Sequence, residues 1–151
     1  MTATCREPCC APPRMTVSEL FERGLRRNRD TPLPIRGDVQ TDGEGNRASF
    51  SCDVAQGKII SIGFQVSTCA TLIAYCELIA ETLPGRTVDL AQALTPRDLA
   101  EQLPGVPALK RGRAVLAIAA FRAALTLAAN SSSSRSGENH ESRLHLRHLA
   151  P

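Results

Sequence analysis

Cys69 is the residue of this 151-residue chain whose placement first suggests chemistry. Residues 60–66 alternate Ile60, Ile62, Phe64 and Val66 with Ser61, Gly63 and Gln65. From Cys69 the spacing becomes helical, with Leu72, Ile73, Cys76, Ile79, Ala80 and Leu83 on one stripe. The chain is thus expected to turn from sheet to helix at a thiol. A sulfur in the first turn of a helix meets N–H groups that lack intrahelical partners and the positive end of the macrodipole, and both favour thiolate over thiol. The plainer reading of a cysteine there, on position alone, is a small buried hydrophobe.

The other thiols are placed differently. Cys52 shares a strand face with Ala48, Phe50 and Val54 and reads as core packing. Cys76 is seven residues beyond Cys69, about 10 Å along a helix, too far to share a metal ion with it. Cys5, Cys9 and Cys10 lie in a Pro-rich arm without periodicity, where they are spare thiols able to act only by folding back. His140, His145 and His148 lie in a polar, Ser-rich tail that reads as solvated rather than as a metal site.

The elements around Cys69 are well signalled. Residues 1–15 are expected to be a disordered arm, with Met15 a possible alternative start. Residues 16–129 are expected to form one domain and 130–151 a disordered polar tail. Thr16, with Glu19 three residues later, caps a helix through about Arg27. Pro32 and Pro34 force extended chain, and a Gly-rich loop, Asp42-Gly43-Glu44-Gly45-Asn46, precedes a hairpin whose connector is Ala55-Gln56-Gly57-Lys58. Ile60, Ile62, Phe64 and Val66 are expected to face the core under the helix that Pro84-Gly85 ends. Thr87 and Thr95 open two short helices. A long one is expected from about Leu109 to Ala129, with Lys110, Arg111 and Arg113 at its positive end, the wrong sign for its dipole.

Composition narrows the function. A net charge of +3, no Trp and five other aromatics define neither a basic face nor a stacking platform for nucleic acid. The apolar run at 114–129 is broken by Arg122 and falls short of the roughly 20 residues of a membrane span. Residues 1–15 contain no apolar segment of signal-peptide type. A cytoplasmic protein with reduced cysteines is the expectation.

Taken in order, these features resemble the NifU N-terminal/IscU family of iron-sulfur cluster assembly scaffolds, over roughly residues 17–127. The resemblance is carried by Arg36-Gly37-Asp38-Val39, by Gly63-Phe64-Gln65-Val66-Ser67-Thr68-Cys69-Ala70, by Gly85-Arg86-Thr87 followed by Asp98-Leu99-Ala100, and by the ending Arg122-Ala123-Ala124-Leu125. It implies an α+β domain with a small antiparallel sheet packed against helices, the NifU/IscU (SufE/NifU-like) fold. It also implies iron or a transient iron-sulfur cluster held by three thiolates and an auxiliary carboxylate or imidazole, with a cysteine desulfurase and other assembly proteins as partners.

Carried over by position, the metal ligands are Cys69 and Asp38. The remaining ligand positions are substituted: Arg36 stands at the first cysteine, and Gly112 and Arg113 at the His-Cys pair that opens the last helix. One thiolate and one carboxylate cannot complete a tetrahedral site, and two guanidinium groups would oppose a cation. Arg36 and Arg113 would instead tune the Cys69 thiol. The expected function is a binding protein of cluster assembly rather than an enzyme. The alternatives are a sulfur-accepting relay through Cys69, or a ligand-depleted paralogue that kept its partner surface.

Overall fold

The computed structural model describes residues 15–148, with side chains over 15–131. Cys5, Cys9 and Cys10, and the side chains of His140, His145 and His148, lie outside the described residues. The element order is α1 (Val17–Arg27), β1 (Ile35–Arg36), β2 (Gln40–Thr41), β3 (Arg47–Ala55), β4 (Lys58–Val66), α2 (Ala70–Thr82), α3 (Val88–Gln92), α4 (Pro96–Gln102), a 3₁₀ turn (Ala108–Lys110) and α5 (Arg113–His148). It is the expected α+β arrangement of a small antiparallel sheet covered by helices.

In the sheet, β3 is central, with β4 on one side and both β1 and β2 on the other. Ile35 pairs with Cys52 and Arg36 with Ser51, whereas Gln40 pairs with Ala48 and Thr41 with Arg47. The two short strands are therefore one edge strand with a one-residue shift of register between them, at residues 37–39. Asp38 sits in that irregularity, where ladder pairing lapses.

A second irregularity corrects the expected core face of the hairpin. Asp53 pairs with Ser61 but Val54 pairs with Ile59, so Ile60 is passed over. A bulge reverses the alternation beyond it. Ile62 and Phe64 are buried as expected, but Ile60 is 53% exposed and Ile59, fully buried, takes its place. Gln56 (φ 54°) and Gly57 (φ 74°) make the two-residue turn, both left-handed as a tight hairpin requires.

The free edge of β4 is covered by α1. Asn28, which ends α1, exchanges two hydrogen bonds with the Val66 backbone (2.8 and 3.1 Å), and Arg27 Nη1 donates to the Ile62 carbonyl at 3.1 Å. These contacts satisfy groups that an open edge would leave to another chain. Arg27 also binds Glu77 of α2 through two hydrogen bonds, 2.7 and 3.1 Å, and Glu77 is only 2% exposed. The helix α2 is buried on every side over residues 71–80, because α1, α5 and β4 surround it.

Across β3 lies α5, with the Phe121 ring tilted against Phe50 at 5.3 Å, which in turn meets Phe64 at 5.9 Å. The helix starts at Arg113, so Lys110 and Arg111, expected in its first turn, belong to the preceding 3₁₀ turn and its cap. It is continuous to His148, past Ala129 where the sequence placed its end; no proline interrupts residues 113–148. By length and composition alone the stretch Ala108–Ser131 is sufficient for a membrane span. Its buried residues, among them Ala117, Ile118, Ala120, Phe121, Ala124 and Leu125, belong to the domain core.

Candidate functional site

The turn from β4 to α2 is held by backbone on both sides. Ser67 N–H donates to the Arg47 carbonyl (2.9 Å), Arg47 N–H to Ser67 Oγ (3.0 Å), and Cys69 N–H to the Ser67 carbonyl (2.7 Å). Cys69 is the N-cap of α2, in extended conformation (φ −114°, ψ 116°), one residue before the first helical position. Its carbonyl accepts from Ile73 N–H at 2.9 Å, and its side chain is half-buried.

The Cys69 thiol lies below its ordinary pKa. Burial is the largest single influence and opposes ionisation. It is outweighed by the Leu72 N–H, by hydrogen bonding and charge attraction from Arg113, and by the Thr71 N–H. The sulfur makes no capping hydrogen bond of regular geometry, but the N–H groups of Leu72 and Thr71 still favour its ionised form. The remaining described cysteines contrast with it: burial pushes Cys52 up to about 11 and Cys76 well above its usual range.

Arg113, at the first position of α5, is 8% exposed and lies against Cys69. Two carboxylates of the loop joining β2 to β3 fix it there. Nη1 donates to Asp42 Oδ2 at 3.3 Å, and Nη2 makes a short contact with Glu44 Oε2. Asp42 is itself fixed, since Oδ1 accepts from the N–H groups of Glu44 and Asn46, both at 2.9 Å, and Oδ2 from Asn46 Nδ2 at 2.9 Å. Those hydrogen bonds, led by the Asn46 side chain and helped by the charge of Arg113, hold the Asp42 carboxyl below the usual carboxylate range.

The structure therefore joins Cys69 to Arg113 and does not join either to Arg36 or Asp38. The edge strand explains why. It runs antiparallel to β3, so its Thr41 end, opposite Arg47, lies beside the β4–α2 turn, and Asp38 lies further back. Gly37 packs against α5 at Ala124, where an added Cβ would come within 2.6 Å of the backbone nitrogen. That point is eleven residues from Arg113 (113 to 124), about 16 Å of helix. Asp38 and Arg36 are exposed, and among the described residues neither makes a hydrogen bond or ion pair to Cys69 or Arg113. The carboxylates at the site are Asp42 and Glu44. In the sequence they read only as turn residues; their link to residue 113 depends on how α5 crosses the sheet.

These groups do not suit a metal or a cluster. A guanidinium occupies the space beside the one thiolate and takes up both nearby carboxylates. Among the described residues, no three His, Cys, Asp or Glu side chains are grouped so as to hold an ion. Gly112, where the resemblance places an imidazole, has open space around it.

Comparison with known proteins matches residues 22–131 to the NifU-like N terminal domain. The nitrogen fixation protein NifU of Nostoc sp. (strain PCC 7120 / SAG 25.82 / UTEX 2576) is 30% identical over 83 residues, which is 55% of this chain and 28% of that protein. The nitrogen fixation protein NifU of Trichormus azollae matches with the same identity and coverage. The matched region is thus under a third of either relative. A crystal structure of a nitrogen-fixing NifU-like protein (N-terminal) from Brucella abortus has 15% identity and a TM-score of 0.38, covering 74% of this chain and 87% of that one.

Proposed function

Because this chain belongs to the NifU-like N-terminal domain family, we propose that it serves iron-sulfur cluster assembly as an accessory binding protein. In this reading it engages assembly partners such as a cysteine desulfurase and does not itself carry a cluster on residues 15–131. The observation that carries the reading is Arg113, whose guanidinium lies against Cys69 where the family resemblance calls for a third thiolate. A cation fixed by two carboxylates beside a single sulfur takes up the ligands and the space that a metal ion would need.

Anaerobic incubation of the full chain with ferrous iron and sulfide tests it, read as iron and sulfide per chain. The expected result is a substoichiometric load in the variant with Cys5→Ser, Cys9→Ser and Cys10→Ser. A stoichiometric cluster in that variant would overturn the reading. Binding of the full chain to a cysteine desulfurase, followed by titration calorimetry, is the positive half of the test.

The thiolate-favouring surroundings of Cys69 support a second reading, in which Cys69 accepts sulfur. Its thiolate attacks the outer sulfur of a donor persulfide, a new S–S bond forms as the donor's breaks, and the donor leaves as a thiolate. A mass gain of one sulfur atom on the Cys69 peptide, after incubation with a cysteine desulfurase and cysteine, is the expected outcome. Its absence would leave partner binding alone.

A further inference from the structure

One nitrogen of the Arg113 guanidinium is without a hydrogen-bond partner. Nη1 and Nη2 are engaged by Asp42 and Glu44, but Nε–H is buried without a hydrogen-bond partner on a residue 8% exposed. The same guanidinium lies against Cys69, whose sulfur also faces the N–H groups of Leu72 and Thr71. A buried N–H with no acceptor costs stability until an acceptor arrives, and a sulfur is a weak one. An oxygen bonded to that sulfur, carrying negative charge, would be a strong acceptor within a ring of donors.

We propose that Cys69 is a site of oxidation by hydroperoxides, at which the resulting sulfenate oxygen accepts from Arg113 Nε–H and from the N-terminal N–H groups of α2. In the step, the Cys69 sulfur attacks one peroxide oxygen, an S–O bond forms and the O–O bond breaks. With hydrogen peroxide the departing hydroxide takes the proton of the new S–OH group and leaves as water, so that the sulfenate remains; an organic hydroperoxide leaves as its alcohol in the same way. Sulfur is oxidised by two electrons and the peroxide is reduced by two. Cys52 and Cys76 are fully buried, and neither has an arginine beside it. The inference stands on the unpartnered nitrogen, so it holds whether or not the chain serves cluster assembly.

The test treats the full chain with hydrogen peroxide in the presence of a cyclic dione that traps sulfenates, and locates the adduct by peptide mass spectrometry. Among the described cysteines the adduct is expected at Cys69 and not at Cys52 or Cys76. Arg113→Lys keeps a positive charge but has no Nε–H of this geometry. It should slow trapping at Cys69 about tenfold, while slowing iodoacetamide alkylation, which places no charged oxygen there, by less than about threefold. No adduct at Cys69, or equal slowing of both reactions, would overturn the proposal. Should the variant fail to fold, the native chain decides alone. Relative to glutathione at the same pH, Cys69 must be favoured more in the peroxide reaction than in alkylation, and a smaller or equal preference counts against the site.

Discussion

Around Cys69 two opposing effects are of similar size, and the direction of the outcome rests on a few donors. Burial disfavours the thiolate more than any single neighbour favours it, yet the N–H groups of α2 and the charge of Arg113 together prevail. Replacing Arg113 by Gln removes a cation that favours the ionised form, so the Cys69 pKa should rise. The midpoint of alkylation rate against pH should move upward, with mass-spectrometric alkylation as the readout. Asp38→Asn should leave that midpoint in place, because Asp38 lies with the Gly37–Ala124 contact rather than with Arg113. A shift on Asp38→Asn, or none on Arg113→Gln, would contradict this electrostatic account. The thiol itself was visible in the sequence, because a change of hydrophobic period marks the β4–α2 turn and a helix N-terminus acts on whatever stands there. Arg113 was visible only through the family resemblance. Asp42 and Glu44 were not, since a Gly-rich loop reads the same whether or not its carboxylates meet a cation 69 or more residues away.

The hairpin separates what periodicity can say from what it cannot. Alternation correctly places Ala48, Phe50 and Cys52 inward, and Ile62 and Phe64 opposite them. It fails at Ile60 because a bulge leaves no trace in a run such as Ile59-Ile60, where either residue could face the core. Replacing Phe64 with Ala should cost about 3–5 kcal/mol and Ile59 with Ala about 2–5 kcal/mol. Ile60→Ala, at a half-exposed position, should stay within about 1 kcal/mol. Urea denaturation midpoints of the three variants check the register, and a larger loss at Ile60 than at Ile59 would reverse it. The α1–α2 contact was missed for a related reason. Arg27 ends a helix, where a cation is unremarkable, and Glu77 lies among apolar residues on a helix too buried to show a polar face. Arg27→Met would leave Glu77 without its partner at 2% exposure, a loss of about 3–5 kcal/mol. Adding Glu77→Leu should recover much of it, since no charge then remains buried. Additive losses in the double variant would mean that the two residues act independently.

The long helix sets the relation between the fold and the site, because one rigid element reaches both ends of the edge strand. Gly37 meets α5 at Ala124, and Asp42 meets it at Arg113. The strand residues from 37 to 42 and the helix residues from 124 back to 113 each span about 16 Å, so the contacts at the two ends are mutually consistent. Element order and covered faces were readable from capping residues and periodicity, whereas this alignment of strand with helix depends on a register shift that no local pattern announces. The fold therefore brings the start of α5 to Cys69 whatever residues occupy that start, and the lack of a metal-ligand group among the described residues is a matter of side chains rather than of architecture. Gly112 has no atom near its would-be Cβ, so a histidine fits there without displacing a neighbour. Combining Gly112→His with Arg113→Cys would remove the fixed cation, release Asp42 and Glu44, and place an imidazole and a second thiolate beside Cys69, a donor set suited to zinc. In a full chain that also carries Cys5→Ser, Cys9→Ser and Cys10→Ser, this variant should bind about one zinc ion per chain, and the same chain with Gly112 and Arg113 retained should bind far less. The readouts are metal content after gel filtration and a zinc-dependent rise in melting temperature, the latter because an ion that binds only the folded state stabilises it. Equal zinc content in the two chains would show that the start of α5 does not reach Cys69 closely enough to share an ion, and would move the fault from the side chains to the placement of the helix.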